Sequence, residues 1–298
     1  MRVFSKCTAR LCLVTIISII AGTLSSSAQQ SSSLAPLSSG VPQLGKYTAA
    51  SKGNQLVFDH STVRLIAGDA RNKTRTVGVE IILAPGWKTY WRVPGDAGVP
   101  AEFIWENSTN MKSAKVSWPA PKRYEDITGK SIGYKKHVIF PVTITPENTD
   151  KPVNLDLRLY YAVCSDICVP AQANLKLDLP VQMQNSLSAQ RIRRFAATVP
   201  NKQAKDVAVA KTTAVMINGK PVLSVKLLGN IAPQTDVLVE GFKAAFFEAP
   251  KLVAKEKDGQ VFHLNVDGID NIAEMSGKTL KLTILSGDAR FEKSVKLE

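Results

Sequence analysis

The chain has 298 residues, 44% of them hydrophobic and 21% charged, with a formal net charge of +13. Such a basic balance can favour anionic partners, phospholipid surfaces among them. Here the lysines are scattered along strand-like segments, with no dense basic run and no recognition motif, so the charge reads as a solvated surface and nucleic acid is excluded as a partner.

In chain order, Arg2, Lys6 and Arg10 precede an apolar run from Leu11 to Ile20. That run is too short for the roughly twenty residues of a spanning helix. Small residues follow to Ser26, Ser27 and Ala28, so residues 1–28 read as a cleavable export signal cut after Ala28. Its removal takes three basic and no acidic residues, so +13 − 3 leaves +10. The mature chain is expected to be soluble and to enter an oxidising space, where thiols pair. Residues 29–45, rich in Ser, Pro, Gly and Gln, read as a flexible leader.

From residue 46 to 182 short alternating strands are punctuated by Gly and Pro, for example at 55–58, 62–66, 75–83, 114–118 and 138–144. Residues 183–204 break that rhythm. Leu187, Ile192 and Phe195, with Arg191, Arg193 and Arg194 between them, suit one amphipathic helix. Strands resume over 205–298, at 213–217, 222–228, 236–240, 244–247, 260–266, 279–285 and 289–297, with an Asn218-Gly219 hairpin turn. The fold class expected is all-β: two immunoglobulin-like β-sandwich domains, 46–182 and 205–298, joined by a short helical linker.

Cys7 and Cys12 fall in the signal, which leaves Cys164 and Cys168. Four residue steps in an extended strand span about 13 Å, whereas a disulfide needs Cα atoms about 4.4–6.8 Å apart, so the chain must reverse between them. Upstream, Val153, Leu155, Leu157, Leu159, Tyr161 and Val163 alternate with polar residues; downstream, Val169, Ala171, Ala173, Leu175, Leu177 and Leu179 do the same. Both flanks read as half-buried strands, with Ser165, Asp166 and Ile167 at the tip of a hairpin. Setting Cys164 opposite Cys168 pairs Val163 with Val169, Leu159 with Ala173 and Leu157 with Leu175, and sets Asp156 against Lys176. This register puts both sulfurs on the polar face, away from the core, with Pro170 expected to disturb the ladder near the tip.

A ring of about five residues gives only about 2 kcal/mol of chain-entropy stabilisation, against about 4.7 kcal/mol for a hundred-residue loop. The residues by themselves leave three readings open: redox exchange, a structural staple in a redox-inert binding or scaffold module, and a Cu(I) site built on soft thiolates. The copper reading is the weakest, since His60, His137 and His263 are isolated and no Met-rich stretch is present. The chain has no G-x-S-x-G elbow, P-loop or H-E-x-x-H motif, and no cofactor or metal is expected. Nothing close in sequence would activate the thiols, and Asp166 disfavours a thiolate.

Several segments in order carry a resemblance: Gly86-Trp87-Lys88-Thr89-Tyr90-Trp91-Arg92-Val93-Pro94-Gly95-Asp96-Ala97-Gly98, then Trp118-Pro119-Ala120-Pro121, Gly133-Tyr134, Phe140-Pro141-Val142 and the stretch from Cys164 to Pro170. Over roughly residues 50–180 they resemble the periplasmic N-terminal domain of the thiol:disulfide interchange protein DsbD. The likeness is closer still to ScsB-type proteins, whose N-terminal region carries two immunoglobulin-like domains. The resemblance implies a periplasmic thiol:disulfide oxidoreductase of the protein-disulfide reductase type, with Cys164 and Cys168 as its redox pair. The implied partners are a thioredoxin-like periplasmic protein or a membrane electron transporter of the DsbD/CcdA type, together with protein disulfide substrates. DsbD itself spaces its cysteines further apart. This chain carries neither the membrane domain nor the thioredoxin-like domain, so electrons are expected to come from separate proteins. Tyr134, Tyr160 and Asp96 are candidate neighbours of the pair. Trp87, Tyr90, Trp91, Trp105 and Trp118 read first as core aromatics and second as a cap around the thiols.

Overall fold

Period-two alternation carries through into strands along most of the chain. The computed structural model describes residues 50–71, 73–95, 98–127, 129–183, 186–242 and 245–297. The segments read as signal and leader lie outside these residues, as does Asp96. The first half contains β1 (Ala50–Lys52), β2 (Gln55–Val57), β3 (Ser61–Arg71), β4 (Thr74–Leu83), β5 (Lys88–Gly95) and β6 (Glu102–Ile104). It continues with β7 (Met111–Val116), β8 (Lys122–Asp126), β9 (Gly129–Lys135), β10 (His137–Pro146), β11 (Val153–Cys164) and β12 (Cys168–Leu179).

These strands form two antiparallel sheets, in the orders β1-β2-β3-β4-β10-β7 and β12-β11-β5-β9-β8, with β6 also pairing β11. Their inner faces share one core. Val63, Leu65, Val77, Val79 and Ile81 of the first sheet and Leu155, Leu157, Leu159, Val163 and Leu175 of the second belong to the same buried cluster. At about 1.5–3 kcal/mol for each fully buried aliphatic side chain, this cluster is the main favourable term holding the sheets together.

A helix, α1 (Leu187–Ala196), follows. Ser186 caps it, accepting a hydrogen bond from the Ala189 amide at 3.1 Å, and Arg193 and Arg194 suit the negative end of its dipole. The buried residues of the helix are Ala189 and Ile192, the latter packed with Ile66 and Ile139, whereas Leu187 is 78% exposed. The arginines of its polar face are not idle, because Arg191 pairs with the fully buried Glu80 and Arg193 with Asp69.

The second half holds β13 (Val207–Ile217), β14 (Lys220–Gly229), β15 (Thr235–Glu240), β16 (Phe246–Phe247), β17 (Lys251–Lys255), β18 (Gly259–Asp267), β19 (Thr279–Ser286) and β20 (Ala289–Lys296). Asn218 and Gly219, at φ 50° and 73°, make the tight turn between β13 and β14 that their residue types favour. One sheet runs β13-β14-β18-β16 with β17 also on β18, and the other runs β15-β19-β20. Their inner faces meet in a second buried cluster that includes Leu223, Leu227, Val237, Leu264, Leu282 and Ile284. The architecture is all-β with an immunoglobulin-like arrangement, and among the described residues it has one short α-helix. Among the described residues no helix is long and apolar enough to cross a membrane.

Candidate redox site

The site begins with the β11–β12 hairpin. Its register follows the alternation throughout: Cys164 pairs with Cys168, Val163 with Val169, Leu159 with Ala173 and Asp156 with Lys176. Pro170 does not interrupt the ladder, since it pairs with Ala162. At the tip the Ser165 amide donates to the Ile167 carbonyl at 3.1 Å, and Ile167 is 65% exposed. Cys164 and Cys168 form a disulfide with their Cα atoms 4.2 Å apart.

Both sulfurs lie on the hairpin face opposite the core, while Val163 and Val169 point inward. Only Cys168 is exposed there; Cys164 has 0% accessibility. The expected open polar face is therefore half covered, because β5 docks beside β11 with Thr89 opposite Val163 and Lys88 opposite Cys164. Tyr90, two residues along β5, projects onto the same outer face. Its hydroxyl donates to Cys164 Sγ at 2.6 Å and lies 3.4 Å from Cys168 Sγ.

Tight packing holds β5 in place. Thr89 Oγ1 donates to the Ala162 carbonyl at 2.8 Å. On the other flank β9 passes so close that a Cβ at Gly133 would lie 2.0 Å from the Thr89 carbonyl oxygen. Gly98 packs on the Tyr90 ring, where a Cβ would fall 2.4 Å from Cε1; any larger residue would displace the ring. Lys88 is 1% exposed, and its Nζ donates to both carboxylate oxygens of Asp126, at the end of β8, at 2.8 Å.

Burial raises the Tyr90 pKa above the ordinary phenol value, and the negative charge of Asp126 raises it further. Tyr90 therefore stays protonated at neutral pH and remains a donor. Pointed at a sulfur, a fixed O–H group favours the thiolate over the thiol. No residue close to the cysteines in sequence supplies such a donor.

The other sequence candidates lie elsewhere. Tyr134 pairs with Thr89, so its ring faces inward, packs edge-on against Phe140 and donates from its hydroxyl to the Pro119 carbonyl at 2.8 Å. Burial pushes its pKa well up, and it does not reach the sulfurs. Tyr160 shares the outer face with the disulfide but pairs with Gln172, four residues from Cys164 and about 13 Å along the strand. Trp91 and Trp105 are buried in the core, and Trp87 and Trp118 pack against it. Of the five aromatics read as core or cap, Tyr90 is the one hydrogen-bonded to the pair.

Residues 54–180 match the family described as the N-terminal part of the thiol:disulfide interchange protein DsbD. The crystal structure of the N-terminal periplasmic domain of ScsB from Proteus mirabilis shares the fold. Its TM-score is 0.65 at 23% sequence identity, covering 82% of this chain and 97% of that one, so the likeness extends well past the matched segment. No curated protein matches the chain.

Proposed function

We propose that the protein is a periplasmic thiol–disulfide exchange protein that relays electrons through Cys164 and Cys168. The observation that carries this reading is the asymmetry of the disulfide: Cys168 is exposed, and Cys164 is buried under a hydroxyl that donates to its sulfur. A staple needs no such donor. Linking two residues four apart in an already paired hairpin also adds little stability.

The asymmetry assigns the steps. A partner thiolate attacks the exposed Cys168 Sγ, forming a mixed disulfide and breaking the Cys164–Cys168 bond. The electron pair leaves on Cys164 Sγ, where the Tyr90 O–H stabilises the thiolate until solvent protonates it. The partner's second thiol then attacks the partner sulfur of the mixed disulfide and releases Cys168. Two electrons and two protons have passed from the partner dithiol to this chain. Run in the opposite direction, with Cys168 attacking and Cys164 resolving, the same steps reduce a substrate disulfide.

The chemistry needs a dithiol donor, and the match to the DsbD N-terminal family supports a thioredoxin-like protein or a membrane electron transporter in that role. The periplasmic assignment is supported by the basic and apolar start of the chain and by the description of the ScsB domain as periplasmic. Equilibration of the mature protein with glutathione buffers tests the reading. Exchange predicts a reduction potential above about −300 mV, whereas a lower value marks a bond that resists reduction and contradicts it.

A further inference from the structure

The second half of the chain contributes no atom to the disulfide, yet it grips the three strands that carry the groups around it. Strand β15 makes most of this contact, and its alternation explains how. Val237 and Val239 point into the second half's own core, while Asp236, Leu238 and Glu240 face the first half. Leu238 is buried in the first half's core. Glu240 accepts from Arg92 Nε at 2.9 Å and Nη2 at 2.6 Å, and Glu292 of β20 accepts from the same Nη2 at 2.5 Å. Asp236 accepts from Arg123 Nε at 2.9 and 3.1 Å. Arg123 also donates to the carbonyls of Val237 and Phe247, each at 3.0 Å. Lys130 pairs with Glu248.

Every one of these pairs puts the cation on the first half and the carboxylate on the second. The cations also lie close in sequence to the redox site. Arg92 is two residues past Tyr90 on β5, with its guanidinium 4.2 Å over the Trp91 ring. Arg123 is three residues before Asp126 on β8, and Lys130 follows Gly129, the residue that pairs with Asp126. Burial alone would pull the Arg92 pKa down, but its hydrogen bonds and charge contacts with Glu240 and Glu292 outweigh this and raise it.

We propose that the second half is a positioning clamp for the redox site. Through Arg92, Arg123 and Lys130 it holds β5, β8 and β9 so that Tyr90 stays over Cys164 and Asp126 stays on Lys88. This inference rests on the reading of Cys164–Cys168 as an exchanging pair. Arg92, Arg123 and Lys130 are positioning residues: they touch neither sulfur and act through the strands they anchor.

The test uses the whole mature chain and dithiothreitol, a reductant too small to need docking. Three proteins are compared, the native chain, a D236N/E240Q/E248Q variant altered only in the second half, and Tyr90→Phe. Two quantities are read: the rate of disulfide reduction, and the pH at which the first thiolate appears in the reduced protein by its ultraviolet absorbance. The clamp predicts that the triple variant moves toward Tyr90→Phe in both. Its reduction should slow about fivefold, the factor given by one hydrogen bond of ordinary net strength, and its thiol should titrate at higher pH. High salt should slow the native chain in the same way and leave the triple variant nearly unchanged, an arm that needs no variant to fold.

Triple-variant kinetics and titration equal to native, with faster hydrogen exchange in β5 and β8 showing that the contact has loosened, would overturn the clamp and leave the exchange reading standing. Reduction of the native chain no faster than that of Tyr90→Phe would overturn both.

Discussion

The cysteine hairpin and the strands that cover it reach one site by opposite routes. Strands β11 and β12 are joined through three residues, and their pairing is settled by alternation alone. Tyr90 comes from 74 residues away in the chain, and Lys88 meets Asp126 across 38. The hairpin supplies the sulfurs and would form a bond wherever its register formed. The covering strands supply what makes the two sulfurs unequal, a donor on Cys164 and none of comparable length on Cys168. Redox chemistry, on this account, needs both parts, and only the first is local.

Perturbations can separate the two parts. The largest effect is expected from the core face of the hairpin. Leu159 is fully buried, and Leu159→Ala should cost about 3 kcal/mol in urea unfolding while leaving the reduction rate of the folded protein nearly native. Reducing the disulfide should cost less, about 2 kcal/mol, because the ring it closes is small. A loss well above that would show the bond acting as a staple.

Tyr90→Phe addresses the covering strand. A hydrogen bond to a charged group contributes about 1.5 kcal/mol or more, so reduction by dithiothreitol should slow about tenfold, with little change in the urea midpoint. A stability loss with no kinetic change would make Tyr90 a packing residue.

At neutral pH the smallest effect is the last. Burial raises the pKa values of Tyr90, Tyr124, Tyr134 and Tyr161 above the ordinary phenol value. Their folded values exceed the unfolded one near 10, so the stability they contribute is complete below about pH 10 and is lost as pH rises through the raised values. Urea melts should coincide at pH 7 and 9 and weaken above pH 10, with tyrosinate absorbance appearing together with unfolding.

The same contrast explains what could be read in the residues. The hairpin register, the Asn218-Gly219 turn, most strands and the helix around Ile192 follow from local period and turn chemistry, and all are present in the structure. Burial of Cys164 could not be foreseen, because the strand that covers it is a distant one. Lys88 and Tyr90 share a parity on β5 that hints at a common face, but nothing local says that β5 lies beside β11. Tyr134, a candidate neighbour of the pair, lies away from the thiols. Its parity puts it inside, with Thr89 as its neighbour and Gly133 facing Tyr90. The partners of the helix arginines could not be read locally either, because Glu80 and Asp69, more than a hundred residues earlier, hold two of them.

The two sulfurs have different jobs, and trapping distinguishes them. Cys164→Ala and Cys168→Ala are each mixed with a thioredoxin-like protein whose resolving cysteine has been removed and whose remaining thiol is activated as a mixed disulfide with a small leaving group. The products are separated without reductant. Cys164→Ala, with its exposed Cys168, should accumulate the cross-linked species readily, and Cys168→Ala, with its thiol under Tyr90, should accumulate little or none. Equal capture by both variants, or capture through Cys164 alone, would contradict this division of roles.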